Sequence, residues 1–358
     1  MSRIEKYKQQ KAANKLKLKK PWLYTLIGAG VLLLAVLIFA GYQLLGTYNA
    51  LDSLNQPKEN IPIGHHEEDE TMKPNEWNGT ERVNILLLGG DNRGVQQGDK
   101  ARSDSMLVLS LDPATKKIHL LSVLRDSYIP IEGYGDRKAN EALALGGPNL
   151  AMRTIGNMLG LDIQYYVYTD FEGFKSLIDA IGGIDFYVEK NMKYTDNADG
   201  NRYDINLQKG QQLLNGDMAL QYVRFRHDKL SDFTRTERQR NLLSAVADKL
   251  KSGWSLLQMK EITESIAPYI QSNLEPSDML ELAKLGIQSQ MAGSLQVPPM
   301  NMISDQRVGQ QAVLMISNAD KLREFVAEAL TSASSGTMED QGSDGGSISV
   351  NSGKAEGP

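Results

Sequence analysis

The run Tyr222-Val-Arg-Phe-Arg226, then Asp232, then Arg235, Arg238 and Gln239, concentrates guanidinium groups in a chain whose 44 acidic residues outnumber its 39 Lys and Arg. Arginine is the side chain best fitted to phosphate, because its planar fork gives two parallel hydrogen bonds and keeps its charge at any relevant pH. If 219–226 is a strand, Tyr222, Arg224 and Arg226 share one face and Val223 and Phe225 the other. On a following helix over 235–251, the spacing i, i+3, i+4 lets Arg235, Arg238 and Gln239 line one side. Converging arginines in an acidic chain point to a polyanionic ligand. The same stretch is also good helix-start chemistry, with Asp232 as N-cap and Thr234 with Glu237 as a capping box, so a solvated helix with surface ion pairs stays open.

A second group lies upstream. The apolar run 83–88 ends in Gly89-Gly90-Asp91, and Arg102-Ser103-Asp104 opens the next run. Ligands of open α/β sheets bind at the carboxyl ends of strands. Asp91 and Asp104 there can share a magnesium ion, which takes one or two carboxylates with phosphate oxygens and water. Asp91-Asn92-Arg93-Gly94 is equally good turn chemistry, and Gly89-Gly90 is neither a Walker loop nor a GxGxxG fingerprint. Arg125-Asp126 closes the run through His119 to Val123 and by itself reads as a local ion pair.

Other chemistries are excluded. With no cysteine there is no disulfide, thiolate metal site or thiol nucleophile. The four histidines, His65, His66, His119 and His227, lack the spacing of a zinc site. A net charge of -5 argues against a nucleic-acid binder.

The elements that must position these residues follow from periodicity. The runs 83–88, 106–111 and 117–123 read as strands, the last two joined by the turn Asp112-Pro113-Ala114-Thr115 into a hairpin. A helix over 149–159, a strand over 165–168, a helix over 171–180 ended by Gly182-Gly183, and a strand over 184–188 come next. Helical patterns return at 235–251, 256–270 and 277–288. The sum is a layered α/β domain whose helices cover a mixed central β-sheet.

Both termini differ from this. Residues 1–21 carry Arg3, Lys6, Lys8, Lys11, Lys15, Lys17, Lys19 and Lys20 and read as a basic cytoplasmic segment. The uncharged apolar run 22–45 is long enough for a transmembrane anchor and exceeds a signal-peptide core. One N-terminal transmembrane helix then leaves the amino terminus in the cytoplasm and the rest extracytoplasmic. Residues 46–82, with Pro57, Pro62, Pro74 and the run Glu67, Glu68, Asp69, Glu70, read as a solvated linker. Residues 331–358, rich in Ser and Gly, read as a disordered tail.

Taken together, Asn84-Ile-Leu-Leu-Leu-Gly-Gly-Asp91, Arg102-Ser-Asp104, Leu124-Arg-Asp126, Asp170-Phe-Glu-Gly173, Gly182-Gly-Ile-Asp185, Tyr222-Val-Arg-Phe-Arg226 and Asp232-Phe-Thr-Arg235 through Gln239 resemble the LytR-CpsA-Psr family, with the motifs in family order. The resemblance implies a catalytic domain over 83–330 that binds polyprenyl pyrophosphate. It further implies a phosphotransferase that moves wall teichoic acid, capsule or a similar anionic glycopolymer from that carrier to a peptidoglycan sugar hydroxyl. In family terms Asp91 and Asp104 match the magnesium-associated carboxylates, and Arg102, Arg125, Arg224 and Arg226 match arginines on the pyrophosphate. Asp232, Arg235 and Gln239 match further active-site positions. Two departures stand out: Leu124 where the family commonly has proline, and Gly90 where a larger residue is frequent. A non-catalytic binder of the same lipid or wall polymer, and a pyrophosphate hydrolase, are the rival functions. The expected setting is a single-pass protein of the cell membrane.

Overall fold

The computed structural model describes residues 45–56, 58, 61–63, 77–90, 102–195, 201, 204–226 and 231–331. The basic segment, all but the last residue of the apolar run, His65 and His66, Asp91, His227 and all but the first residue of the Ser/Gly-rich tail therefore lie outside the described residues. Among the described residues no helix is long and apolar enough to cross a membrane.

At the centre is a six-stranded mixed sheet. β1 (Val83–Gly90), β2 (Ser103–Asp112) and β3 (Lys117–Val123) are consecutive antiparallel neighbours. β6 (Tyr165–Asp170) joins β1 in parallel, β11 (Ile270–Ser272) joins β6 antiparallel, and β12 (Gln290–Val297) joins β3 in parallel, giving the order β11-β6-β1-β2-β3-β12. Central position explains the almost unbroken apolar sequence of β1, which is covered on both faces. The expected hairpin between β2 and β3 forms, and Asp112 Oδ1 accepts from the amides of Ala114 and Thr115 inside its turn at 3.0 and 3.3 Å. A second, four-stranded sheet orders β13 (Ile303–Val308), β14 (Gln311–Ile316), β4 (Ser127–Ile131) and β5 (Gly135–Lys138).

One face of the main sheet is covered by α2 (Glu141–Leu159) and α9 (Ala319–Thr331), which bury Leu86, Leu88, Val108, Leu121 and Tyr168 with Leu143, Ile155, Leu322 and Val326. The helix read from residue 149 onward is the second half of α2, because Gly146 and Gly147 break it just before Pro148. The other face carries α8 (Pro276–Gln288) against Val83, Ile85, Leu111 and Tyr165. A satellite core gathers α3 (Phe171–Ala180), α4 (Gly216–Arg224), α5 (Ser231–Leu250) and α7 (Met259–Ile266). With them pack the ribbons β7 (Ile184–Val188) with β10 (Gly210–Leu214) and β8 (Met192–Tyr194) with β9 (Ile205–Leu207). The turn into β7 places Gly182 and Gly183 at φ of +78 and +77, where a side chain would be strained.

Three expectations are corrected. Residues 219–226 are not a strand: Asn215 caps α4 by accepting from the Met218 amide at 2.9 Å, and burial of Ala219, Leu220 and Tyr222 follows a helical stripe. The helix expected over 256–270 is divided into α6 (Gly253–Leu257), α7 and a 3-10 turn whose Pro268 precedes β11. Finally, the segment expected as linker contributes structure: residues 45–55 form helix α1, with Ala50 and Leu54 buried, and Ile61 and Ile63 enter the main core.

Candidate active site at the carboxyl edge of the sheet

Strand direction gathers the chemistry at one edge. β1 and β6 end side by side at Gly90 and Asp170, β2 begins there opposite Gly90 at Ser103, and β3 and β12 end there at Val123 and Val297. Arg102, Asp104, Arg125 and Asp126 are therefore neighbours through registry, although they come from two different strand ends. Asp91 follows Gly90 directly in the chain.

The geometry is that of an alternating charge chain. Arg125 Nη1 donates to Asp104 Oδ1 at 2.6 Å, and Arg125 Nε lies 3.5 Å from Asp126 Oδ2. Asp126 Oδ1 accepts in turn from Lys138 Nζ at 2.8 Å. The Arg125 guanidinium is thus hydrogen-bonded to Asp104 and paired in charge with Asp126, its side chain 22% exposed beside an Asp104 that is 31% exposed. Arg102 precedes β2 and is exposed.

Helix α5 supplies the second wall. Ser105 Oγ donates to Gln239 Oε1 at 3.2 Å, and Thr236 Oγ1 donates to Gln296 Oε1 of β12 at 3.2 Å. With its carbonyl oxygen engaged, Gln239 keeps two amide N–H donors for an anion. Arg235 lies one turn earlier and is buried, and Asp232 falls in the first turn, its side chain outside the described set. Arg238 does not share their side. It donates from Nε to Glu189 Oε1 at 2.8 Å and from Nη1 to the Phe225 carbonyl at 3.1 Å, and its guanidinium stacks 5.2 Å from the Phe225 ring. At about 100° per residue, positions 235 and 239 are roughly 40° apart on the helix and 238 lies on the far side of 235. Because α5 is wedged between sheet and satellite core, that rotation sends Arg238 into the latter. Burial works to raise the Glu189 carboxyl, but the Arg238 bond and charge outweigh it and hold it below its ordinary value.

Because 219–224 is helical and Phe225 leaves the helix in an extended conformation, Tyr222, Arg224 and Arg226 do not share a face. Tyr222 is buried edge-on to Phe186 at 4.9 Å, and burial followed by the nearby Glu189 charge raises its phenol. Arg224 lies 5.4 Å over the ring of Phe171, the residue after Asp170, so it still reaches the carboxyl edge, at the end of β6. Three interstrand spacings, about 14 Å, separate the ends of β6 and β3. Arg226 follows α4 and is exposed. The two sequence departures have local reasons. A Cβ on Gly90 would run into the hydroxyl of Tyr168, and the Leu124 amide, which proline lacks, donates to Val297 O at 3.0 Å.

Ser105, Thr236, Lys138 and Gln296 were not singled out from sequence. Ser105 adjoins Asp104, which is a usable signal; nothing local marks Lys138, which reaches the edge only through the β4–β5 hairpin.

The LytR_cpsA_psr family profile matches residues 48–325. The chain belongs to the LytR-CpsA-Psr family. Regulatory protein MsrR of Staphylococcus aureus is 33% identical over 242 residues, 65% of this chain and 71% of MsrR. The polyisoprenyl-teichoic acid--peptidoglycan teichoic acid transferase TagU of Bacillus anthracis is 34% identical over 270 residues, 75% of this chain and 84% of TagU. Among solved structures, the family protein YwtF (TagT) with bound octaprenyl pyrophosphate lipid superimposes with a TM-score of 0.55 at 25% identity, over 74% of this chain and 98% of that one. The mixed α/β architecture is therefore that of solved family members.

Proposed function

We propose that this protein moves an anionic glycopolymer from a polyprenyl-pyrophosphate carrier to a sugar hydroxyl of peptidoglycan. The observation that carries the reading is the Arg125–Asp104 pair at the carboxyl edge, with Gln239 bonded to Ser105, the residue after Asp104, and Arg224 over Phe171 at the end of β6. It is supported by the lipid that TagT holds and by the activity in the name of TagU. The acceptor oxygen forms a bond to the sugar-linked phosphorus, the anhydride P–O bond breaks, and polyprenyl phosphate leaves. Charge grows on the leaving oxygen, where preoriented guanidiniums and the Gln239 amide stabilise it without reorganisation. Asp91 or Asp232 takes the hydroxyl proton.

The residues present suit a magnesium ion. Arg125 occupies only Oδ1 of Asp104, so Oδ2 would be one hard oxygen ligand, and Asp91, next in the chain after Gly90, would supply the second carboxylate. When bound, the ion neutralises phosphate charge. The enzyme works outside the cell membrane, held by residues 22–45 with the amino terminus in the cytoplasm.

The test supplies the full chain in detergent with a labelled polyprenyl-pyrophosphate glycan, magnesium and peptidoglycan oligomers. Label covalently on peptidoglycan, lost in Arg224→Ala with unchanged melting, is the expected result. Free glycan phosphate without acceptor dependence would make the protein a hydrolase, and binding without product would make it a carrier.

A further inference from the structure

The exposed side of α1 changes character along its length. Its inner side is docked throughout: a Cβ on Gly46 would collide with the Lys260 stem, Ala50 and Leu54 are buried, and Asn55 Nδ2 donates to Glu275 Oε1 at 3.1 Å. Beyond the helix, Lys58 Nζ donates to the Ile270 carbonyl of β11, and Ile61 and Ile63 enter the core. The outer side reads Leu45, Tyr48, Asn49, Asp52, Gln56, apolar in the first turn and polar after it. Leu45 is 69% and Tyr48 48% exposed. Leu257, 70% exposed, ends α6 three residues before the Lys260 that Gly46 abuts. Three residues of chain span at most about 10 Å, so these large apolar side chains collect at one end of the domain.

That end is where the uncharged run 22–45 arrives, with Trp22 and Tyr24 at its inner limit and Tyr42 and Tyr48 at its outer one. Aromatic residues at both limits of an apolar run mark the two water interfaces of a bilayer. We propose that the face formed by Leu45, Tyr48 and Leu257 rests in the headgroup layer of the membrane, so that the domain sits directly on the bilayer through a docked helix instead of hanging from a free stalk. The inference rests on reading 22–45 as a membrane span. The occupant is the lipid surface because the run feeding the patch leaves no slack: the last residue of the run is itself part of the patch. A lipid-linked donor confined to the same bilayer then meets the catalytic edge at a fixed height and orientation.

The absence of native cysteine makes the test direct. Tyr48→Cys, Leu257→Cys and, as control, Ser304→Cys are made in the full chain. Ser304 is exposed on β13, in the four-stranded sheet, which shares no strand with the sheet that holds β11. Each is labelled with an environment-sensitive fluorophore and reconstituted in phosphatidylglycerol–phosphatidylethanolamine vesicles containing nitroxide lipids. Loss of most fluorescence at 48 and 257, with none at 304, is the expected result. Vesicle flotation after an alkaline wash separates the two readings. A chain that washes off overturns the span and this inference with it. A chain that floats while positions 48 and 257 behave like 304 overturns the docking alone, as does quenching between labels on two copies in place of quenching by lipid. Leu257→Glu further lowers transfer from a long-chain donor in vesicles several-fold while leaving a short-chain soluble donor unaffected; equal loss with both donors would contradict the membrane role.

Discussion

Two arginine–aspartate pairs sit at opposite edges of the same sheet, nearly alike in length and in the exposure of their arginines. Arg125–Asp104 spans 2.6 Å at the carboxyl edge and Arg82–Asp112 spans 2.7 Å at the other. What surrounds them differs. Arg82 also donates to Ser110 Oγ at 3.2 Å and to the carbonyl of Leu330 in α9 at 3.4 Å, while Asp112 accepts from the amides of its own turn. Burial acts to raise the Asp112 carboxyl, but its bonds to Thr115, the Arg82 charge and the Ala114 amide leave it below its ordinary value. Every group of that pair serves to close the β2–β3 turn and tie down the last helix. At the carboxyl edge, Asp104 has an oxygen to spare, Gln239 presents donors, and more arginines gather. A pair whose valences are used up holds the fold; one with donors and acceptors left over can hold a ligand.

The comparison breaks most clearly by deleting each arginine. Arg125→Ala should lower transfer about 10²- to 10³-fold, the usual cost of removing a preorganised donor to a charged transition state, with a melting temperature close to that of the parent. Arg82→Ala should do the reverse, losing about 1–3 kcal/mol in denaturant unfolding because Asp112 loses its charged partner, with unchanged specific activity of the folded fraction. Equal effects of both substitutions on transfer would erase the distinction.

Acid sharpens it further. His119, opposite Ser110 on β3, is 2% exposed, its Nδ1 is buried without a hydrogen-bond partner among the described residues, and burial followed by the charges of Arg82 and Lys117 lowers its pKa from 6.5. Below 6.5 the unfolded chain binds a proton that the native protein does not, so stability falls as pH drops from that value toward the lowered one. The slope is at most about 1.4 kcal/mol per pH unit. Urea unfolding between pH 7 and 5 should show it, and His119→Phe should flatten it. A parent whose stability is level over that range would mean that this edge takes up the charge.

The sequence made local features legible. β1, the β2–β3 hairpin, α3 and β7 each announce themselves through a short apolar period bounded by glycine or an Asx turn. The candidate site residues Asp104, Arg125, Arg235 and Gln239 can be nominated from sequence because each belongs to a motif or a helix face. What escaped is non-local. β12 reads Gln-Met-Ala-Gly-Ser-Leu-Gln-Val and becomes a strand because β3 offers it a parallel edge, and with it comes Gln296. The reading of α4 failed for a different reason, since an eight-residue apolar alternation fits either period until Asn215 is seen to cap it. Arg238 had the right type and spacing for the ligand face, and only the position of α5 between two cores assigns it to structure.

Lys138 carries the smallest expected effect and the finest test of the charge chain. It touches no position where substrate is placed; it bonds Asp126, whose other oxygen lies at ion-pair distance, 3.5 Å, from Arg125 Nε, and Arg125 Nη1 bonds Asp104. Its side chain is 19% exposed, so the ion pair is worth on the order of 1 kcal/mol or less. Lys138→Met should therefore reduce kcat by a few-fold while leaving KM for the lipid donor near the parent value, because Arg125 remains present but less firmly oriented in the transition state. Lys138→Arg should restore the rate, since a guanidinium can still reach Asp126. A rise in KM at constant kcat would instead place Lys138 on the substrate itself, and loss of stability with normal kinetics would make the chain of charges a brace for the β4–β5 hairpin, moving Lys138 into the same class as Arg82.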